Sequence, residues 1–461
     1  MTEPQDAPLW KHSAASLHAA YRTGAMTPSL VLESILTRIE KINPTLNLFA
    51  HLDTEGARRT AAASDARFAA GEPLGDLDGI PITIKDNIPV AGLPCAWGSN
   101  LYKGRIAEAD ELPVARLRCQ GAIILGKTNV SEFTLGRGNL NTLAFGVTRN
   151  PWDPGLTPGA STGGGAAAVA SGVAPLALGT DGGGSIRRPA SHTGLVGLKP
   201  STGRVARING LPPILHDFEI IGPIARTVED LAMVLAATEG AHPLDRQSHG
   251  FQPGAMREVG TGRRILYVAQ LGDMIVEPEV AASCRQAAAQ LEDLGHQVEF
   301  SENEPFDVAL FEKHWPVVGA AGLAWLLKDT DWQGKVGEPY PPMIEKGRSL
   351  SAIDYVEALM AYRQVYAQLA ARLQEFDFIM TPSAGALPWK AEDYAPPYHR
   401  AFTGFVNAAG LPAISIPGPA SPNGLPIGFQ LIGAFGQDWE LLSLARQYER
   451  AHPWAHLWPA I

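Results

Sequence analysis

The sequence has few cysteines, and they are not arranged for a disulfide framework. Cys95, Cys119 and Cys284 are the only three in 461 residues, and no pair has the spacing of a CxxC motif. An odd and widely spaced set excludes a disulfide scaffold and is typical of a reducing compartment. We therefore expect all three cysteines to be small residues of the core.

Motifs for metal ligands and blocks of basic charge are also lacking. The 12 histidines include no HExxH pair or other close ligand spacing, so the sequence predicts neither a metal centre nor a cofactor site. The 37 Lys and Arg residues stand against 47 Asp and Glu, which gives a formal net charge of -10. This balance favours neither nucleic acid nor an anionic membrane as a partner.

Signals for export and for a membrane span are missing as well. The first residues, MTEPQDAPLW, lack the basic and apolar regions of a secretory signal. The long uncharged stretch between Asp153 and Asp181 is too rich in Gly, Ala, Ser and Thr to be strongly hydrophobic, and it predicts buried core instead. From these absences we expect a cytoplasmic protein without a membrane partner.

Two loops rich in glycine and serine lie in the middle of the chain. Residues 159–165 read GASTGGG, residues 182–185 read GGGS, and an alanine-rich stretch at 166–178 separates them. Glycine lets a substrate approach the backbone closely, so consecutive N–H groups of such loops can converge on an oxyanion. A flexible linker is the alternative, but a linker does not enclose an apolar segment.

Three motifs around these loops follow one another in a recognisable order. They are GIPITIKDNIPVAG at 79–92, GASTGGG with GTDGGGSIRRPA at 159–190, and GLVGLKPSTGRV at 194–205. Together they resemble the amidase signature family of serine hydrolases. The resemblance implies an α/β fold with one large domain over residues 1–461 and a central twisted mixed β-sheet flanked on both sides by helices.

Within that domain the resemblance implies three parts. A helical N-terminal arm is expected at residues 1–70, a catalytic core at 71–240, and a C-terminal part at 241–461 that completes the sheet and the substrate pocket. The polar stretch at 240–262 predicts a loop and is a candidate boundary.

The resemblance also implies a catalytic relay. Ser185 matches the family's nucleophile, and Ser161 matches a serine on a cis peptide that relays a proton to a lysine. By composition alone, Lys85 beside Asp86 is a solvated surface charge. Its place at the end of the strand predicted for residues 80–84, inside a family motif, makes it the expected final base, which must be buried and neutral.

Further residues of the two loops are expected to assist this relay. The expected oxyanion hole consists of Gly182, Gly183, Gly184 and Ser185. The expected loop supports are Thr162, Asp181 and Arg187. The sequence departs from the family's usual residues at Ala160, Thr162, Gly165 and Gly182. Because the family has a larger residue at Gly182, we expect a looser or wider oxyanion loop.

The resemblance implies hydrolysis of a non-peptide C–N bond through a covalent acyl-enzyme. The expected partner is a small-molecule amide, and a homodimer is one candidate assembly. Several aromatic residues fall in the region that shapes the acyl pocket of relatives, and they predict a compact apolar or aryl amide, with a urea or carbamate as related substrates. These residues are Trp315, Trp325, Trp332, Tyr340, Met343, Trp389 and Tyr394.

Two other functions remain open from the sequence. The family includes the amidotransferase subunit of a transamidating complex, whose activity depends on partners. Residues 159–163 also fit the GxSxG elbow of esterases, which makes Ser161 the nucleophile and His192 or His216 the base. That elbow needs a strand directly before it, whereas residues 150–155, NPWDPG, predict a loop.

A phosphate-binding loop is a further match that we do not adopt. Residues 121–128, GAIILGKT, fit the pattern GxxxxGK[ST], but the central residues are apolar and typical of a strand rather than of a flexible turn.

Several helices and strands are predicted outside the motifs. A helix begins at Pro28 and ends at Asn43-Pro44, and a βαβ unit follows from residues 265–300. No helix is predicted between residues 305 and 342.

Overall fold

The computed structural model describes residues 8–136, 138–301 and 304–461. The strands are β1 (Phe49–Leu52), β2 (Pro81–Lys85), β3 (Ile123–Thr128), β4 (Asn141–Thr142), β5 (Gly146–Val147), β6 (Leu176–Asp181), β7 (Val196–Lys199), β8 (Ile220–Ala225), β9 (Arg264–Tyr267), β10 (Gln297–Phe300), β11 (Phe378–Pro382), β12 (Ala413–Pro417) and β13 (Gly428–Gly433). The helices are α1 (Ala14–Thr23), α2 (Pro28–Leu46), α3 (Thr54–Ala70), α4 (Leu112–Cys119), α5 (Gly163–Ala170), α6 (Arg187–Thr193), α7 (Val228–Thr238), α8 (Pro278–Asp293), α9 (Val308–Leu326), α10 (Tyr340–Ser349), α11 (Ala352–Glu375), α12 (Gly404–Ala408) and α13 (Asp438–Ala451).

Eleven of these strands form one mixed sheet. Their order is β1-β3-β2-β6-β8-β7-β12-β13-β11-β9-β10, while β4 pairs with β5. β2 runs parallel to β3 and β6, and β9 runs parallel to β10 and β11. The remaining pairs of the large sheet are antiparallel. The predicted α/β fold, a single domain with a large mixed sheet flanked by helices, is confirmed, and the loop at 240–262 does not divide the sheet.

The centre of the sheet is covered on both faces. Every residue of β2, β3, β6 and β8 is buried, and these strands are rich in Ile, Leu and Ala rather than alternating with polar residues. The glycine- and alanine-rich helix α5 is also buried along its whole length, because its small side chains let it pack closely against the sheet. Within the described ranges, no helix is both long and apolar enough to cross a membrane.

The βαβ prediction is confirmed, two other local predictions are wrong, and one helix was not predicted. Helix α2 begins at Pro28 as predicted but continues through Pro44, and the left-handed Asn47 (φ 52°) ends it after Leu46. Because Pro44 lies in the last turn, it removes only one N–H from that turn. Helix α9 occupies a stretch where no helix is predicted, and it contains Pro316. Cys119 is exposed at the end of α4, while Cys95 and Cys284 are buried as predicted.

Candidate active site

The topology of the sheet brings the predicted base to the glycine-rich loops. Because β2 and β6 are parallel neighbours, their carboxyl ends reach the same edge of the sheet. Lys85 is the last residue of β2, and Asp181 is the last residue of β6. Their registration, with Ile84 opposite Leu178, places the Lys85 amine beside the end of β6.

The Lys85 amine is completely buried and bonded to neutral groups. Nζ lies 2.8 Å from Ser161 Oγ. It also donates to the carbonyl oxygen of Thr180 at 2.9 Å and to the Thr180 hydroxyl at 2.8 Å. Burial lowers the pKa of Lys85 to about 7, and the negative charges of Glu219 and Asp181 oppose part of that effect. A neutral amine is therefore accessible near neutral pH.

Ser161 lies in the first glycine-rich loop, and its neighbour Thr162 bonds that loop to the loop of Ser185. The Ala160–Ser161 peptide bond is cis, as the family resemblance implies. Thr162 donates from its backbone N–H to the Ser185 carbonyl oxygen at 3.0 Å, and its hydroxyl donates to the Thr180 carbonyl oxygen at 3.1 Å. These bonds hold the Ser161 and Ser185 loops side by side, and α5 begins directly after them.

The loop of the expected nucleophile turns around one carboxylate. Asp181 accepts hydrogen bonds from the N–H groups of Gly184 at 2.7 Å and Ile186 at 3.1 Å. The Gly184 N–H is therefore not available as an oxyanion donor, in contrast to the expectation from the sequence. In the described part of the chain, the N–H groups of Gly182, Gly183 and Ser185 have no acceptor, so these three remain the candidate donors.

Arg187 fixes this carboxylate from the other side. Its Nε and Nη2 donate to Asp181 at 3.0 and 2.9 Å, and both side chains are completely buried. The guanidinium also donates to the Gln430 amide oxygen, the Asn407 amide oxygen and the Thr403 carbonyl oxygen. Burial alone raises the pKa of Asp181, but the charge and hydrogen bonds of Arg187 outweigh it, so this pKa lies well below its usual range.

A cavity of about 290 Å³ opens beside the two serines. Ser161, Ser185, Gly182 and Gly183 contribute to its wall. The apolar part of the wall consists mainly of Leu135, Leu215, Phe218, Phe311, Trp315, Val318 and Met343. A Cβ at Gly182 would lie 2.5 Å from Leu215 Cδ1, and the looser or wider oxyanion loop expected at this position stays a prediction. Leu215 thus occupies the space that a larger residue would fill.

Of the aromatic and methionine residues predicted to shape the pocket, Trp315 and Met343 line this cavity. Trp332 and Tyr340 belong to a separate hydrophobic cluster around Phe133. Trp325 is 52% exposed, and Tyr394 is also exposed. Trp389 packs edge-on against the rings of His192 and His399.

The esterase elbow is wrong for this chain. No strand directly precedes Ser161 in the described residues before it, and its hydroxyl is bonded to Lys85 rather than to a histidine. His192 is buried with Nε2 3.2 Å from the Ala386 carbonyl oxygen, and burial lowers its pKa to about 4. His216 is partly exposed and pairs with Asp217.

The phosphate-loop match has a structural explanation too. Gly126, Lys127 and Thr128 lie inside β3 rather than in a loop. The Lys127 amine is buried and donates to the carbonyl oxygens of Asp86 and Pro94.

Among the residues that the structure describes, no group of three or more His, Cys, Asp or Glu side chains could hold a metal ion.

Comparison with known proteins decides the family. A sequence profile described as Amidase matches residues 30–442. The chain belongs to the amidase signature family. The amidase signature sequences similar to it include a glutamyl-tRNA(Gln) amidotransferase subunit of Symbiobacterium thermophilum, which is 34% identical over 95% of this chain and 96% of that protein. An acylamidase of Rhodococcus erythropolis is 32% identical over 97% of both chains.

The fold comparison agrees with this assignment. A bacterial aryl acylamidase of the amidase signature family superposes with a TM-score of 0.90 and 26% identity, over 97% of this chain and 98% of that one. The chain is therefore an amidase signature enzyme, a class that hydrolyses amides. Membership of the family does not fix the substrate, because acylamidases and amidotransferase subunits are both among the relatives.

Three residues at the site were not singled out from the sequence. Thr180 directly precedes Asp181 inside the GTDGGGS motif, and this position could have marked it as a neighbour of the relay. Arg188 lies in the same motif and lines the cavity. Arg400 also lines the cavity but comes from a distant segment with no motif to mark it.

Proposed function

We propose that this enzyme hydrolyses a small amide with an apolar or aryl group, or a related urea or carbamate, through an acyl-enzyme on Ser185. Ser161 and Lys85 act as its proton relay. The observation that carries the proposal is the 2.8 Å contact between the Ser161 hydroxyl and a completely buried lysine, in the wall of a cavity that Ser185 shares.

In this proposal, the hydrogen bonds of the Lys85 amine decide which group its lone pair faces. A neutral amine has two N–H donors and one lone pair. Both oxygens of Thr180 accept from Nζ, so they use the two donors and leave the lone pair for the Ser161 O–H. The Thr180 hydroxyl in turn donates to Glu219 Oε2 at 3.2 Å, because a carboxylate can only accept. Thr180 therefore orients Lys85 as a base toward Ser161.

The reaction follows from this arrangement. Ser185 Oγ attacks the amide carbon while its proton passes to Ser161, and the Ser161 proton passes to Lys85. No hydrogen bond joins the two serine hydroxyls among the described residues, and such bonds commonly tighten only when substrate is bound. The proton returns to the leaving nitrogen as the C–N bond breaks. Water then attacks the acyl-enzyme by the same relay and releases the acid.

The free N–H groups of the nucleophile loop supply electrostatic stabilisation. The donors of Gly182, Gly183 and Ser185 face the place where the carbonyl oxygen becomes negative in our proposal. One such donor contributes on the order of 3 kcal/mol to the transition state. The Asp181 carboxylate holds the loop in the conformation that presents them.

The cavity supports a compact substrate. The side chains of Phe218, Phe311 and Trp315 form a continuous aromatic surface, with ring centroids 6.3 Å apart between Phe218 and Trp315 and 5.0 Å apart between Phe311 and Trp315. An aryl or alkyl group against these rings is removed from water, which favours binding.

Covalent labelling tests the proposed roles. The protein is treated with a fluorophosphonate, digested and analysed by mass spectrometry, and the rate of labelling is compared in Lys85→Ala and Ser161→Ala. We expect an adduct on Ser185 that forms much more slowly in both variants. An adduct on Ser161, or a rate independent of Lys85, would contradict the proposed relay.

The transamidating alternative is separated by a second measurement. Gel filtration gives the size of the purified protein, and the same fractions are assayed with acetanilide and with L-glutamine. An isolated chain or homodimer that hydrolyses the anilide supports a self-sufficient amidase. Activity on L-glutamine that appears only with added partner subunits would favour an amidotransferase subunit instead.

A further inference from the structure

Two arginines that pair with no carboxylate in the described part of the chain lie in the wall of the cavity. Arg188 follows Ser185 by three residues in the first turn of α6. Arg400 is the last residue of a 3-10 turn, Pro397–Arg400, from the C-terminal part of the chain. Both line the cavity that contains Ser185, although more than 200 residues separate them in sequence. The fold therefore gathers two positive charges beside the expected nucleophile.

Arg188 is buried without a counter-charge among the described residues. Its side chain is 5% exposed, Nε donates to the Gly184 carbonyl oxygen at 3.3 Å, and Nη2 donates to the Ala160 carbonyl oxygen at 3.2 Å. Nη1 is buried and has no hydrogen-bond partner in the same ranges. A buried guanidinium with an unused donor is unfavourable, and a bound anion would satisfy both the donor and the charge.

The neighbouring Arg187 is also buried, but a carboxylate balances its charge. It forms an ion pair with Asp181 at 2.9 Å. In the described ranges, neither Arg188 nor Arg400 forms any ion pair with a carboxylate. Glu312 also lines the cavity, but it is exposed and does not pair with either arginine. The cavity wall therefore carries one buried guanidinium, Arg188, and one exposed guanidinium, Arg400, without a carboxylate partner in these ranges.

The two guanidinium groups also affect one another. Burial lowers the pKa of Arg188 to about 9, and the charge of Arg400 acts in the same direction. Like charges held close together without a partner repel, and a bound anion removes that repulsion. Arginine suits this task because its planar fork matches a carboxylate.

We propose that Arg188 and Arg400 form a subsite for a carboxylate, so that the preferred substrate is a small amide that also carries a carboxylate group. This inference rests on the proposed amidase function of the same site. The apolar part of such a substrate packs on the aromatic wall, and its carboxylate accepts from the unused Nη1 of Arg188. Since Arg188 also bonds the carbonyl oxygens of Gly184 and Ala160, an anion bound to it steadies both serine loops at once.

Matched ligand pairs test this subsite. Succinanilate is compared with 4-methylpentananilide, in which an isopropyl group replaces the carboxylate. 4-Acetamidobenzoate is compared with 4-isopropylacetanilide, which moves the carboxylate to the amine side. Dissociation constants are measured by calorimetry on Ser185→Ala, so that binding is observed without turnover. We expect the carboxylate member of at least one pair to bind about ten-fold or more tightly.

Arginine variants connect that preference to the two residues. In Ser185→Ala/Arg400→Gln we expect the carboxylate preference to fall below about three-fold, with little change for the neutral ligand. Arg188→Gln weakens the loops as well, so the ratio within each pair is the relevant quantity, and we expect it to fall in the same way. Arg372→Gln, an exposed arginine on α11, is the control and should keep the full preference.

Equal binding of both members in both pairs, or a preference that survives both cavity variants, would overturn the subsite. Because these measurements use binding to Ser185→Ala, they do not depend on the relay. Failure of the amidase proposal appears separately, as the absence of a Ser185 adduct and of anilide hydrolysis in the unmodified enzyme.

Discussion

Thr180 accepts two hydrogen bonds from Lys85, one at its carbonyl oxygen (2.9 Å) and one at its hydroxyl (2.8 Å). A single residue of β6 therefore sets the direction of the lysine lone pair. We predict that Thr180→Val, which keeps the β-branched shape but removes the hydroxyl, lowers kcat for anilide hydrolysis by about 10- to 100-fold, in line with the cost of small misplacements. KM should change little, because Thr180 does not line the cavity.

Steady-state kinetics checks this prediction, and circular dichroism confirms that the variant is folded. Thr180→Ser retains the hydroxyl and should recover most of kcat. Equal losses in both variants would show that packing of the methyl group matters rather than the hydrogen bond.

The pH dependence of kcat/KM should report the titration of Lys85. The amine acts as a base only when neutral, and its pKa is about 7. We therefore expect kcat/KM to rise with pH through an inflection near 7 and to level off above it. The negative charge of Glu219 raises this pKa, so Glu219→Gln should move the inflection to lower pH.

The control for this shift is Glu345→Gln, an exposed residue of α10, which should leave the inflection unchanged. If the inflection of Glu219→Gln moved to higher pH instead, a group other than Lys85 would control the fall of kcat/KM at low pH.

The ion pair under the nucleophile loop should contribute strongly to stability. Asp181→Asn preserves size but leaves Arg187 buried without a counter-charge, and we expect a loss of about 3–5 kcal/mol in the free energy of unfolding. Urea denaturation measures this loss directly. The exposed pair of Asp331 and Lys335 provides the control, and Asp331→Asn should cause no measurable change. A loss below about 1 kcal/mol for Asp181→Asn would mean that the buried ion pair contributes no more to stability than an exposed one.

Two glycines of the same loop should respond differently to alanine. Gly184 has φ 103°, and an added Cβ would lie 2.3 Å from Thr403 Oγ1 and 2.5 Å from Thr403 Cβ. Gly184→Ala must therefore displace the loop, and we expect kcat/KM to fall by about 100-fold or more. At Gly182 the closest atom is the flexible end of Leu215, so Gly182→Ala should lose less than about 10-fold. Equal activity of the two variants would contradict the role assigned to the loop.

The sequence allowed the relay to be predicted because its members lie in local motifs. Lys85 ends a strand of β-branched residues, and Ser161 and Ser185 lie in loops whose glycines limit the choice of conformation. The α/β fold followed from the same resemblance. The structure brings all three residues to one edge of the sheet, while their catalytic roles remain predictions for the labelling experiment.

The features of the site and the fold that could not be predicted depend on contacts between distant segments of the chain. Arg400 reaches the cavity only through the packing of the C-terminal part, and no local pattern marks it. Leu215 fills the space beside Gly182, which cannot be read from the loop itself. Helix α9 contains Pro316, and that residue type by itself predicts an interruption, but packing against α10 and α11 maintains the helix.

The bonds of Arg187 also bear on synthesis of the chain. Its guanidinium contacts Thr403, Asn407 and Gln430, which follow it by 216 to 243 residues. The support of the nucleophile loop therefore cannot be complete until β13 has left the ribosome and joined the sheet. A nascent chain that carries Lys85, Ser161 and Ser185 already holds the reactive groups but lacks this support. Because the proposed mechanism depends on this loop, we expect amide hydrolysis to appear only after the C-terminal strands have joined the sheet.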